Sequence, residues 1–119
     1  MLVNLCQIEI KITDIVRSRT FYEQVFGLKL VPAEIHNYHI LEVSKKSSFG
    51  ISLLEQEKVE PNRSMILYFR LESLEGIKEK LGSLRNGSFK GERIVPGYGR
   101  AIFVEDPDGH RLGLFVPLK

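Results

Sequence analysis

A chain of 119 residues, 43% hydrophobic and 27% charged, has the composition of one soluble globular domain, large enough to bury a core without covalent staples. Its 17 basic and 15 acidic residues leave a formal charge of +2, and Lys45-Lys46 is the only adjacent basic pair, so nucleic acid is not an expected partner. Cys6 is the only cysteine, which rules out an intramolecular disulfide, and no apolar run approaches the roughly 20 residues of a membrane helix. The first residues lack a basic stretch followed by an apolar core, and a cytoplasmic protein is expected.

Residues 3 to 12 alternate. Cys6, Ile8, Ile10 and Ile12 fall on one face, and Leu5, Gln7, Glu9 and Lys11 on the other, which predicts a half-buried strand with Cys6 packed in the core. Asp14 is a good N-cap for a helix from Ile15 to Phe26, whose apolar residues Ile15, Phe21, Tyr22, Val25 and Phe26 keep helical spacing, and Gly27 suits its end. Short strands are predicted over Leu28–Val31, His36–Val43 and Phe49–Leu54, the last two joined by a polar turn at 44–48. Glu55 to Ser64, charged and containing Pro61, reads as a linker.

The order then repeats. Met65 to Leu71 alternates as a strand, Ser73 stands where a cap belongs, and a helix is predicted from Leu74 to Leu81, ended by Gly82. Ser88–Ile94 is a weak strand interrupted by Gly91, and Gly97-Tyr98-Gly99 is a turn feeding the strand at Arg100. Arg100–Glu105 and Arg111–Val116 flank Asp106-Pro107-Asp108-Gly109, where Pro107 presets φ, Asp106 accepts a backbone N–H and Gly109 tolerates the exit conformation. Gln7 and Ile66 hold equivalent places, each seven residues before its cap, Asp14 or Ser73. A tandem β-α-β-β-β repeat follows, an α+β fold, with module one over about 1–56 and module two over about 64–119.

Two motifs carry a resemblance that covers nearly the whole chain. Asp14-x3-Ser18-x2-Phe21-Tyr22-x3-Phe26-Gly27 resembles the first-helix signature of glyoxalase-like domains, and the strand–Asp-Pro-Asp-Gly–strand near the C-terminus resembles the last hairpin of the same family. That family is the glyoxalase/bleomycin resistance protein/extradiol dioxygenase, or vicinal oxygen chelate, superfamily. The resemblance implies two modules whose curved sheets surround a concave cleft, with helices outside, often in a homodimer. It places Gln7, Glu9, Ile66, Tyr68, Arg70, Arg111, Gly113 and Phe115 on the cleft face. Aromatic and charged side chains mixed on one face suit a small-molecule cleft. The alternative is that Glu9, Arg70 and Arg111 pair across adjacent strands and neutralise one another.

Metal-dependent members of the family take His or Gln from the first strand of a module and Glu from the last. The matching positions here are Gln7, Ser52, Ile66 and Gly113. Isoleucine and glycine have no donor, so the family metal is not expected and no cofactor is assigned. His36 and His39 would point to opposite faces of their strand, and His110, beside the turn, is expected to be exposed. The resemblance then implies a metal-free binder that sequesters a small molecule through Gln7, Glu9, Ser52, Tyr68, Arg70, Arg111 and Phe115. Two rivals stand beside it. One is a divergent lyase, isomerase or dioxygenase, for which Glu9 with Tyr68 or Arg70 is the only proton-transfer pair to name. The other is a dimeric regulatory or interaction module, in which Tyr68 and Phe115 would be buried against one another.

Overall fold

A computed structural model describes residues 1–32, 38–42, 49–84 and 87–118. The chain divides into two compact units, Met1–Val59 and Glu60–Lys119. His36 and the turn at 44–48 lie outside the described residues.

The first unit runs β1 (Gln7–Ile12), α1 (Ile15–Phe26), β2 (Lys29–Pro32), β3 (Tyr38–Glu42) and β4 (Gly50–Glu55). Its sheet has the order β1-β4-β3-β2, with β1 parallel to β4 and the other pairs antiparallel. The alternation of β1 is realised: Ile10 and Ile12 are buried, while Gln7, Glu9 and Lys11 are exposed. Helix α1 has the limits its sequence sets. Asp14 Oδ1 accepts from the N–H groups of Val16 and Arg17, and Gly27 closes the helix in the left-handed conformation at φ 66°. A second carboxylate, Glu55 at the end of β4, accepts from the Ile15 N–H at 2.8 Å. Two anions thus meet the orphan donors and the positive end of the helix dipole. Phe21, Tyr22 and Val25 turn inward, and with Ile10, Ile12, Ile51 and Leu53 they are the buried apolar residues of this unit among the described residues. Tyr22 meets Phe21 edge-on at 5.0 Å and stacks on Phe26 at 5.5 Å.

The second unit repeats the order: β5 (Leu67–Arg70), α2 (Ile77–Leu84), β6 (Ser88–Val95), β7 (Gly99–Glu105) and β8 (Arg111–Pro117). Its sheet order is β5-β8-β7-β6, with β5 parallel to β8. The two sheets share one topology, as the tandem β-α-β-β-β reading expects, and the fold is α+β. Ile102, Val104, Leu112 and Leu114 are buried on one face, as are Leu74, Ile77 and Leu81 from α2 and the turn before it.

Four expectations are corrected. Helix α2 starts at Ile77 rather than Leu74, because Gly76 at φ 77° breaks the backbone there; Ser73 Oγ accepts from the Glu75 N–H in the turn ahead of it, and Gly82 lies inside the helix. Cys6 is exposed, since the strand begins one residue later. His110 is buried, and its Nδ1 accepts from the Asn62 N–H at 2.9 Å. The supposed linker is therefore attached at its end: Asn62 O accepts from the Arg111 N–H at 2.9 Å, and Pro61 and Arg63 crowd Gly109, where a Cβ would meet them at 3.2–3.3 Å. The Asp106–Gly109 turn forms as expected, with Asp106 Oδ1 accepting from the N–H groups of Asp108 and His110, and Gly109 at φ 88°.

Candidate functional site

Each sheet has one face toward its buried apolar residues and one opposite, and the sequence-predicted site residues fall on the opposite faces. On the first sheet these are Gln7, Glu9 and Ser52. Glu9 and Ser52 are register partners, Glu9 exposed and Ser52 fully buried. Gln7 reaches across from two residues earlier. Its amide nitrogen donates to Ser52 Oγ at 3.0 Å and to the Tyr38 hydroxyl, so both N–H groups are committed within the unit.

On the second sheet the registers line the residues into rows. The first row pairs Glu105 with Arg111 at the hairpin end. The second contains Gly91, Phe103, Gly113 and Tyr68 in order across β6, β7, β8 and β5. The third contains Arg93, Ala101, Phe115 and Arg70. In the middle row two glycines alternate with two aromatic residues, and the rings of Tyr68 and Phe103 meet edge-on at 5.9 Å. The Tyr68 ring covers Gly113 so closely that a Cβ there would lie 2.6 Å from Cδ1. At Gly99 a Cβ would meet first the Val116 carbonyl oxygen and then the Phe115 ring, at 2.8 Å. Tyr68 keeps half its surface exposed and packs on Phe103. The Arg93 guanidinium lies 5.1 Å from the centre of the Phe103 ring.

The first row is electrostatically the densest part of the described residues. Glu105, 8% exposed, accepts from Arg111 at 2.7 Å and lies 3.2 Å from Arg63 Nε and 3.8 Å from Lys90 Nζ. Burial works to raise the Glu105 carboxyl, but the Arg111 hydrogen bonds and the charges of Arg63, Lys90 and Arg111 outweigh it and hold the group below the ordinary carboxylate range. Lys90 takes part because of a β-bulge: Phe89 pairs with Val104 and Gly91 with Phe103, leaving Lys90 as the extra residue. Gly91, at φ 144°, supplies the backbone conformation. Within the second unit Arg111 pairs with Glu105.

Glu105, Phe103, Lys90, Arg93 and Arg63 were missed from sequence. Glu105 and Phe103 alternate with buried Val104 on β7, a period-two signal that was there to be read; Lys90 was hidden because the bulge breaks that period at Gly91.

The parallel registers also align the two units. Glu9 pairs with Ser52 and Tyr68 with Gly113, which makes Gln7 equivalent to Ile66 and Ser52 to Gly113. These are the four positions where the resemblance puts metal ligands. They hold one amide oxygen, one buried hydroxyl and two residues without a donor, a set that does not fit a divalent ion.

The family model described as Glyoxalase/Bleomycin resistance protein/Dioxygenase superfamily matches residues 5–114. The chain belongs to that superfamily. A comparison with curated protein sequences gives no match. Among solved structures, the chain is similar to the genomically encoded fosfomycin resistance protein FosX from Listeria monocytogenes complexed with Mn(II) and sulfate, at TM-score 0.79 and 20% identity over 99% of this chain and 93% of that one. FosX from Mesorhizobium loti gives TM-score 0.74 at 20% identity, covering 98% and 93%. A glyoxalase-related enzyme from Fulvimarina pelagi gives 0.73 at 20%, covering 97% and 88%. At this identity the likeness is one of fold.

Proposed function

We infer that the protein binds a small molecule without a metal and acts by sequestering it. The observation that supports this is the Tyr68 ring over Gly113: at the final-strand position where the family's metal-dependent members supply a carboxylate, this chain has no side chain, and an aromatic ring fills the space. The Mn(II) named for the Listeria FosX has no counterpart in the donors present here. Tyr68 and Phe115 offer flat apolar surface to a ligand, Arg70 and Arg111 offer cationic donors, and Ser52 holds the Gln7 amide so that its oxygen is what Gln7 presents. Glu9 supplies an acceptor on the first sheet. The protein acts as a homodimer in the cytoplasm, where an exposed thiol at Cys6 remains reduced.

The test is binding with metal removed. Protein dialysed against EDTA is titrated with small aromatic and charged compounds and followed by amide chemical shifts. The reading predicts shifts at Tyr68, Phe103 and Phe115 that are the same with EDTA or Mn(II), and a ligand recovered unchanged. Binding that appears only with Mn(II), or conversion of the ligand, overturns it.

A further inference from the structure

The first sheet holds a hydrogen-bonded bridge between strands that are not neighbours. β4 lies between β1 and β3, so the Gln7 amide and the Tyr38 hydroxyl meet across it. Ser52 of β4 is fully buried and accepts from the same Gln7 nitrogen at 3.0 Å. This arrangement fixes the polarity of the bridge. An amide nitrogen has two N–H groups, and hydroxyl oxygens take both, so the Gln7 carbonyl oxygen is left as an acceptor. The Tyr38 hydroxyl accepts from Gln7 and keeps its own proton to donate. Gln7 is exposed and Tyr38 half-buried, so an acceptor and a donor stand side by side within reach of solvent. Neither is charged; Glu9 and Lys11 follow Gln7 along the same face of β1. Gly50 is the register partner of Gln7 and shares its face. Its φ is not positive, and a Cβ built on it would meet nothing within 4 Å among the described residues. Neither backbone nor crowding requires glycine there, and glycine weakens a strand. What it leaves is open space beside the amide.

We propose that the ligand carries a neutral carboxamide: its N–H donates to the Gln7 carbonyl oxygen, its own carbonyl accepts from the Tyr38 hydroxyl, and its remaining bulk occupies the space over Gly50. This rests on the metal-free binding reading above and names the chemistry that reading leaves open. An amide has one donor and one acceptor on adjacent atoms, the complement of what Gln7 and Tyr38 present. A carboxylate brings acceptors only and would set a lone pair against the Gln7 oxygen; an ester keeps the carbonyl but has no N–H to give. Ser52, buried out of a ligand's reach, is a positioning residue that holds the Gln7 amide with its oxygen outward. Because Gln7 is already held by two hydroxyls, little side-chain entropy remains to be lost on binding.

The probes are benzamide, methyl benzoate and benzoate, titrated into the EDTA-treated full chain and followed by the amide chemical shifts of Gln7, Tyr38, Gly50 and Ser52. Benzamide is expected to bind tightest, with the ester and the carboxylate each about tenfold weaker. Two variants separate the two hydrogen bonds. Gln7→Ala erases the preference for benzamide over methyl benzoate, since the acceptor for the N–H is gone. Tyr38→Phe weakens both about tenfold but keeps the preference, because Ser52 still holds the Gln7 amide. Gly50→Val fills the open space and weakens benzamide several-fold, while its urea midpoint is not lowered, as a β-branched side chain suits a strand. Equal binding of amide and ester, tighter binding of benzoate, silence from all three, or benzamide binding untouched by Gly50→Val overturns the ligand class. These outcomes are distinct from failure of the parent reading, which shows as binding that requires Mn(II) or as conversion of the ligand.

Discussion

The aromatic ring of Tyr68 and the missing side chain of Gly113 are one feature: residue 113 is glycine where a ring from the neighbouring parallel strand takes the space of its Cβ, 2.6 Å from Cδ1. A Gly113→Ala change therefore forces the ring away and costs about 1–3 kcal/mol by overpacking. Gly113→Glu costs more. Tyr68→Ala combined with Gly113→Glu recovers part of the loss, because the carboxylate then has room. Urea midpoints of the two single variants and the double variant check this; additive losses would refute it.

Glu105 gives the chain an acid-sensitive element. Its folded-state carboxyl titrates below the ordinary range despite burial, so its ionised form is favoured by folding. The stability this contributes is complete above the unfolded carboxylate pKa of about 4.3 and is lost as pH falls through the depressed folded value. Glu105→Gln is expected to cost about 1–3 kcal/mol at pH 7 and to flatten the acid limb of the stability profile, read from urea unfolding between pH 7 and pH 3. A variant with the parent's acid limb would show that Glu105 is not its source.

Most of the fold was legible in the sequence because each unit's periodicity is strict where the structure is regular. Asp14, the aromatic spacing from Phe21 to Phe26 and Gly27 set the first helix to the residue. The second helix was placed three residues early because Leu74 and Ser73 look like a start, yet Gly76 adopts φ 77° and the regular turns begin only beyond it. His110 was expected in solvent because it adjoins a polar turn; nothing local signals that residues 60–63 return to cover it. The site residues proposed on β1, β5 and β8 do share the faces opposite the buried ones, since alternation alone fixes that. The cluster around Glu105 depends on a bulge and on a segment distant in sequence, and alternation is blind to both.

The attachment at His110 has its own consequence. The buried His110 accepts the Asn62 N–H through its Nδ1, so His110→Ala removes that bond and the packing of the ring and costs about 1 kcal/mol. Hydrogen exchange at Asn62 and Arg111 should accelerate together, because the Arg111 N–H donates to Asn62 O. Unchanged exchange at Arg111 would show that the segment is held by other contacts.

Cys6 precedes β1 and is exposed. It should react fully with a thiol reagent in native buffer, at the rate of the urea-unfolded chain within about a factor of ten. Protection until unfolding would return it to the core.

The chain has the fold of a superfamily that includes metal-dependent members, and whether it works without metal, as proposed above, is open to direct measurement. The direct measurement is elemental analysis of protein purified without a metal-affinity tag, with thermal shifts against manganese, nickel, zinc, iron and cobalt. A metal-free binder holds substoichiometric metal and shows no shift with any ion. One equivalent of bound metal, or stabilisation by one ion at modest concentration, would contradict it.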